Sequence, residues 1–316
     1  MTLGRTGHNA KMRDSRMPCK KSAFTFALRL MRDASHFGDT SFLPSLHRYL
    51  LDSMIIIAYI ASLFIGLSLG ILGGGGSILT LPVLVYLFGI DATVATAYSL
   101  FIVGATSLAS IVPKARQGEV DFGTALYFGA PAVVAVYMTR AYLVPLIPDV
   151  ILETASFTLT RSTFLMLLFA VLMLLAARGM IVGKKASAPA TALPTWKKIA
   201  VILAEGLIVG VLTGLVGAGG GFLIIPALVL VTGLDMKTAV GTSLTIIAFK
   251  SLLGFTGDLG QYSMDWNLLG LVTIVAIIGM VIGTFVSKKI DSKPLQKSFG
   301  WFVLIMGLFI VGKELF

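Results

Sequence analysis

A glycine-rich stretch that occurs twice constrains this chain more than any other feature of its sequence. Residues 70–82 read GILGGGGSILTLP, and residues 214–226 read GLVGAGGGFLIIP. The offset between them is a constant 144 residues (217 − 73 and 226 − 82), and the same offset pairs Ser99 with Ser243. An internal repeat of this length indicates a chain built from two related halves.

Each glycine run lies between apolar segments and therefore interrupts a membrane span. Consecutive glycines weaken a helix by about 1 kcal/mol each and permit positive φ. Inside a bilayer, a broken helix is tolerated where it lines a protein cavity, and paired breaks in two halves indicate a transporter's binding site. Backbone amides at such a break favour an anion. The predicted substrate-binding residues of the two breaks are Gly73, Gly74, Gly75, Gly76, Ser77, Gly217, Gly219, Gly220 and Gly221.

Close helix packing is the alternative explanation of these glycines, because small residues let membrane helices approach one another. Two nucleotide-binding interpretations fail. No Gly-Lys-Ser/Thr follows either run, as a P-loop requires, and no alternating βαβ pattern surrounds them, as a dinucleotide fold requires. Packing and anion binding remain the two interpretations of the repeated motif.

The composition indicates an all-α integral membrane protein. Of 316 residues, 56% are apolar and 13% are charged, with a mean hydropathy of +0.93. The net charge of +10 is explained by basic loops that orient a membrane protein, so nucleic acid is not a predicted partner. The single cysteine, Cys19, and three histidines, all before residue 54, leave the predicted membrane region without Cys or His ligands. We predict no metal and no cofactor.

The chain is predicted to have four parts. Residues 1–53 form a basic leader that is either disordered or absent from the native protein, if translation starts at Met54. Residues 54–182 form the first membrane repeat, 183–198 a linker loop, and 199–316 the second repeat. Eight long apolar segments and two short ones, 77–89 and 221–232, follow. The short ones are roughly 18 Å long as helices, too short to cross a bilayer of about 30 Å upright.

Loop charges favour one topology. The loops at 113–121, 183–198 and 288–297 are basic, whereas those at 147–160 and 257–265 are acidic or neutral. If the short segments cross, ten spans in two inverted halves place every basic loop in the cytoplasm. If they are re-entrant, eight spans and parallel halves result, and the last basic loop violates the rule. We favour inverted repeats.

Polar side chains within predicted spans are candidates for function, because burying them in a bilayer is costly. Lys250, midway along its segment, is a candidate contact for an anion; snorkelling or pairing with Asp258 is the alternative. Arg140 is predicted to snorkel. Glu205 either carries a coupling proton or faces water.

Two further pairs of polar positions are related by the repeat. Ser99 and Ser243 are equivalent, and each either lines the site or bonds to helix backbone. Asp91 and its equivalent Asp235 precede helices and are predicted to be N-caps.

The doubled GGGGSILTLP and GAGGGFLIIP, each followed by Gly-x-Asp, an alanine-rich start and Ser-Leu, resemble the sulfite exporter TauE/SafE family. The resemblance covers about residues 55–316. It implies a bacterial plasma-membrane permease that exports sulfite, an organosulfonate or another small sulfur-containing anion. The long leader departs from the family pattern.

The predicted function is therefore secondary transport of a small anion, without a nucleotide-binding motif to drive it. The predicted partners are the anion and the lipid bilayer, and association between copies of the chain is left open. A membrane-embedded enzyme or assembly factor is the rival interpretation. Reconstitution into liposomes separates the two, because transport needs no other component.

Overall fold

A computed structural model describes residues 42–154, 157–182, 195–287 and 292–315. The chain divides into two compact units, residues 1–48 and 49–316. Of the first unit, residues 42–48 are described and are helical. These residues are the start of the first helix below, and everything else that follows concerns the second unit.

The first half of the sequence folds into six helices and one β-hairpin. The helices are α1 (Phe42–Leu72), α2 (Thr80–Tyr86), α3 (Ala92–Arg116), α4 (Phe122–Met138), α5 (Val144–Leu146) and α6 (Arg161–Val182). A 3-10 helix, Gly73–Leu79, joins α1 to α2, and a π-helical turn, Thr139–Leu143, joins α4 to α5. The antiparallel strands β1 (Val150–Thr154) and β2 (Phe157–Thr160) precede α6.

The second half repeats this order without a described β-hairpin. Its helices are α7 (Thr195–Val216), α8 (Gly221–Ala227), α9 (Met236–Thr256), α10 (Trp266–Ser287) and α11 (Ser292–Leu315), with a π-helical turn, Leu228–Thr232, after α8.

The described part of the chain contains seven helical stretches that are long and apolar enough to cross a membrane, which confirms an all-α membrane protein. They are Ile56–Tyr86, Ala92–Arg116, Phe122–Leu146, Arg161–Val182, Ile199–Val216, Met236–Thr256 and Trp266–Ser287.

Aspartates begin four of these helices at repeat-equivalent positions. Asp91, Asp121, Asp235 and Asp265 accept hydrogen bonds from first-turn amides at 2.8–3.2 Å. A side-chain carboxylate here satisfies amides that have no partner within the helix. The predicted caps at Asp91 and Asp235 are confirmed.

The chain turns back on itself at both glycine breaks. A Cβ placed on Gly76 would lie 2.3 Å from the amide nitrogen of Leu69, and one on Gly220 would lie 2.0 Å from Cγ2 of Thr213. In a continuous helix, residues seven apart are separated by about 10 Å along the axis. Each long helix and the short helix after it therefore form a hairpin, α1 with α2 and α7 with α8.

The equivalent helices α3 and α9 run in opposite directions. A Cβ on Gly104 would lie 3.0 Å from the amide nitrogen of Leu252, whereas one on Gly241 would lie 2.0 Å from the carbonyl oxygen of Glu119. Residue numbers thus rise along α9 as they fall along α3. Because these equivalent helices run antiparallel, the structure supports inverted halves. This result does not depend on how deeply the α1–α2 and α7–α8 hairpins enter the membrane. We call the end where α3 begins and α9 ends side A, and the opposite end side B.

Glycines let each hairpin pack tightly against the other half. A Cβ on Gly66 would lie 1.8 Å from the carbonyl oxygen of Ala276, and one on Gly210 would lie 2.7 Å from that of Ala132. Both pairs are related by the same offset of 144 residues. Glycine thus allows close helix packing along the long arms of the hairpins, while packing and anion binding both remain interpretations of the glycine runs themselves.

Three details differ from the sequence predictions or lie beyond them. Helix α1 begins at Phe42, within the segment predicted as leader. The β-hairpin at Val150–Thr160 was not predicted, since its turn lies in a stretch taken only as an acidic loop. Most of the leader and the linker loop lies outside the described residues, and the start at Met54 stays a prediction.

Candidate functional site

The two glycine breaks meet in the interior of the molecule. A Cβ on Gly74 would lie 2.2 Å from Cα of Gly221, so the two backbones are in direct contact. Gly74 also approaches Ile247, and Gly219 approaches Val103, both near the middle of α9 and α3. The structure therefore brings the predicted glycines of both repeats into one buried region.

The two breaks differ in backbone conformation. Gly217, Gly219 and Gly220 all have left-handed φ values, +71°, +63° and +73°. In the first break only Gly73 does, with φ +67°, and a 3-10 helix follows at once. That helix includes Gly75 and Gly76 and uses amides of the first break for its own hydrogen bonds.

The second break leaves amides free. Among the described residues, the amides of Ala218, Gly219 and Gly221 donate to no backbone carbonyl, whereas Gly217 bonds to Thr213 and Gly220 to Ala218. Successive amides in a turn with left-handed residues form a concave anion-binding surface.

Lys250 lies beside this second break. Its side chain is fully buried, its Nζ donates a 2.6 Å hydrogen bond to Oγ1 of Thr213, and a Cβ on Gly220 would lie 3.1 Å from Nζ. No ion pair to Lys250 occurs in the described part of the chain. Neither snorkelling nor a pair with Asp258 fits this position, so both alternatives were wrong.

Arg140 is also buried, which corrects the prediction that it snorkels. Its Nε donates to Oδ2 of Asp258 at 2.8 Å, and both side chains are 0% exposed. Its Nη1 donates to Oγ1 of Thr96 at 2.9 Å and to the carbonyl of Gly214 at 3.3 Å. A buried charge needs such a partner, because desolvation in the interior is otherwise uncompensated.

The three serines predicted to bind the substrate differ in the hydrogen bonds of their hydroxyl groups. Ser99 follows Thr96 by three residues and precedes Val103 by four, so it shares the helix face that contacts Gly217 and Gly219. Its buried hydroxyl has no hydrogen-bond partner.

The hydroxyls of the other two serines are already used. Ser243 donates to the carbonyl of Val240 at 2.8 Å, and Ser77 donates to that of Gly74 at 2.7 Å. Both bonds are local, so these hydroxyls stabilise the backbone around the first break.

Thr213, Thr96 and Arg140 were missed as site residues by sequence reasoning. Thr213 lies just before the second glycine stretch, and its hydroxyl was the only sequence feature that could have indicated a role at the site. The contact of Thr96 with Gly217 depends on how α3 crosses the α7–α8 hairpin. Glu205 is partly buried with Oε2 unpartnered, and its predicted proton role stays a prediction. The described residues contain no cluster of His, Cys, Asp or Glu suited to a metal ion.

Comparison with known proteins relates the chain to one protein family. The profile of a family described as Sulfite exporter TauE/SafE matches residues 58–310. No solved structure matches the chain.

Several curated relatives cover most of the chain. A probable membrane transporter protein of Xylella fastidiosa is 27% identical over 79% of this chain and 92% of its own length. The probable membrane transporter protein YdhB of Bacillus subtilis is 29% identical over 75% of this chain and 89% of its own length. A second Bacillus subtilis protein, YunE, with the same description, is 24% identical over 83% of this chain and 98% of its own length.

Proposed function

Because the chain belongs to the sulfite exporter TauE/SafE family and is a multi-pass membrane transporter, we propose that its substrate is a small sulfur oxyanion. Sulfite or an organosulfonate is the proposed cargo, exported across the plasma membrane. The proposal extends from membrane transport, which the family supports, to a chemical class of substrate and a direction.

The position of Lys250 carries the proposal. An ammonium group that is fully buried and has no acidic partner among the described residues lacks a counter-charge. Such a group is costly to keep charged in a low-dielectric interior. An anion bound beside Gly220 would supply that counter-charge.

Neutral donors around Lys250 fit the oxygens of a sulfur oxyanion. The free amides of Ala218, Gly219 and Gly221 lie on one side, and the unpartnered hydroxyl of Ser99 lies on the α3 face that contacts this break. Hydrogen bonds to an ionised acceptor are about twice as strong as neutral ones. Sulfite and sulfonates each present three oxygens, which such a set of donors can share.

The membrane potential favours export of an anion. An inside-negative potential contributes about 2.3 kcal/mol per charge per 100 mV. At equal concentrations on the two sides, a sulfonate or sulfite anion therefore leaves the cell downhill without a nucleotide or a coupling ion.

The test is efflux from proteoliposomes. Purified protein is reconstituted into vesicles loaded with sulfite, methanesulfonate or chloride, and release is followed with an imposed potential. We expect release of the sulfur anions at rates well above chloride and above protein-free vesicles. Equal release of all three, or none, in vesicles containing monodisperse protein would contradict the proposed substrate class.

A further inference from the structure

Side A of the molecule is closed by the ion pair between Arg140 and Asp258. The pair joins four elements, because Arg140 also bonds to Thr96 at the start of α3 and to Gly214 at the tip of the α7–α8 hairpin. Gln261 adds a 2.6 Å bond to the carbonyl of Gly257 and lies 3.4 Å from that of Arg140. These contacts fix the end of α9 against α4.

Helices α4 and α9 approach closely around this pair. A Cβ on Gly254 would lie 2.2 Å from Cγ1 of Val136, and one on Gly257 would lie 3.1 Å from Cβ of Arg140. Val136 is fully buried.

The equivalent place on side B has a different chemistry. The offset of 144 residues relates Arg140 to Thr284 and Asp258 to Lys114. Thr284 donates to the carbonyl of Met280 within its own helix, and Lys114 pairs with Glu119 in the loop that follows α3. Neither bond joins the end of α3 to α10, and among the described residues, which omit 288–291 after α10, no ion pair joins these two ends.

A cavity of about 270 Å³ lies at this place on side B, between the ends of α3 and α10. Its lining combines the polar residues Ser110, Arg116, Gln117 and Thr284 with the apolar residues Ala109, Pro113, Met280, Val281 and Phe285. Ser110 is the repeat equivalent of Gly254, and Met280 is the equivalent of Val136. The cavity thus occupies the position that is tightly packed on side A.

The inner wall of the cavity adjoins the glycine breaks. Met280 lies in the same buried cluster as Val103 and Ile247. Those two side chains contact Gly219 and Gly74. The cavity and the breaks therefore border the same cluster of buried side chains. Arg116 at the cavity carries a positive charge.

We propose that this cavity is the entrance for the anion on side B, and that the Arg140–Asp258 pair is the gate that closes the equivalent route on side A. Transport then requires side A to open while side B closes. The Arg140–Asp258 pair separates on side A, and the ends of α3 and α10 pack against each other on side B. The two halves share one fold, so each end can adopt the packing of the other. The inference rests on the proposed function for its substrate, but its test needs no substrate.

Cysteine reactivity tests the two ends. Cys19 is the only cysteine, so Cys19→Ser gives a cysteine-free background. Ser110→Cys reports the cavity, and Val136→Cys, opposite the repeat equivalent of Ser110, reports the closed end. The two side chains are 1% and 0% exposed, so the cavity beside Ser110 is what distinguishes them. In proteoliposomes of known orientation, a membrane-impermeant methanethiosulfonate should label Ser110→Cys from side B alone. We expect its rate to exceed that of Val136→Cys at least about tenfold, since a minor state is populated to about 10% or less.

Breaking the ion pair should reverse this order. With Asp258→Asn, we expect Val136→Cys to become reactive from side A and Ser110→Cys to react more slowly. Because a lone buried Arg140 could prevent folding, the double variant Arg140→Gln/Asp258→Asn removes both charges and repeats the measurement.

Two results would overturn the inference. One is a Ser110→Cys that stays unreactive in monodisperse protein. The other is a Val136→Cys whose reactivity is unchanged in a folded variant that lacks the ion pair. Failure of sulfite efflux with these labelling rates intact would instead reject the substrate class alone.

Discussion

The two glycine breaks have nearly the same sequence but different structures. The first continues directly as a 3-10 helix, with one left-handed glycine, Gly73. The second contains three left-handed glycines and leaves amides free. Lys250 lies beside the second break, and its repeat equivalent is the neutral Thr106. The comparison teaches that two glycine runs of nearly the same sequence can adopt different backbones, and that the change of one equivalent side chain, Thr106 to Lys250, places a buried cation beside only the second run.

Backbone conformation is the first way to test this difference. Gly219→Ala forces a left-handed alanine and places a Cβ 2.5 Å from Val103, so we expect a loss of about 2–4 kcal/mol in stability. Its equivalent, Gly75→Ala, lies in helical backbone, where alanine is favoured over glycine by up to about 1 kcal/mol, so backbone effects there should cost no stability. Unfolding midpoints in detergent measure both. Equal losses would show that the breaks do not differ in the way described.

Charge beside the breaks is the second test. Lys250→Met removes the positive charge that is proposed to contact the anion. It should weaken sulfite binding roughly 30-fold, the equivalent of about 2 kcal/mol for a charged hydrogen bond. Thr106→Met is the matched control at the equivalent position, where the hydroxyl donates only to the carbonyl of Ile102. Isothermal titration with sulfite measures affinity. The asymmetry would be refuted by similar losses in the two variants.

Hydroxyls facing the breaks give a smaller contrast. Ser99 has no hydrogen-bond partner in the interior, so Ser99→Ala should weaken sulfite binding about fivefold, or about 1 kcal/mol. Ser243→Ala removes a hydroxyl that already bonds to its own helix and should leave affinity unchanged. The same titration measures both variants. A larger effect at Ser243 would place the anion at the first break.

Helix caps provide the smallest effect and a check that the halves are alike elsewhere. Asp91→Ala and Asp235→Ala each remove a cap at equivalent positions. We expect each to cost about 1 kcal/mol of stability and to leave sulfite affinity unchanged. Thermal unfolding followed by tryptophan fluorescence gives the first quantity and titration the second. Altered affinity in either variant would mean that the caps hold the site as well as the helix.

The repeat of the glycine motif and most of the apolar helices were visible in the sequence because they depend on local properties. Glycine runs, apolar length and capping aspartates act within a few residues, and the matched offset makes the duplication visible. The family resemblance rested on the same residues and is confirmed. Lys250 could be singled out because a charge within a span is costly wherever it lies.

Tertiary structure alone decided which charges face the site. Arg140 and Asp258 are 118 positions apart, and neither sequence neighbourhood indicates the pair that the crossing of α4 and α9 brings together. The difference between the two breaks is equally invisible in the sequence, since Gly75 and Gly219 are equivalent glycines with different backbone geometry. Helix crossing sets the surroundings of each glycine run, and those surroundings determine which φ values it adopts. The sequence by itself determined a duplicated membrane protein with paired glycine breaks, whereas packing between the halves decided where the free amides and the buried cations lie.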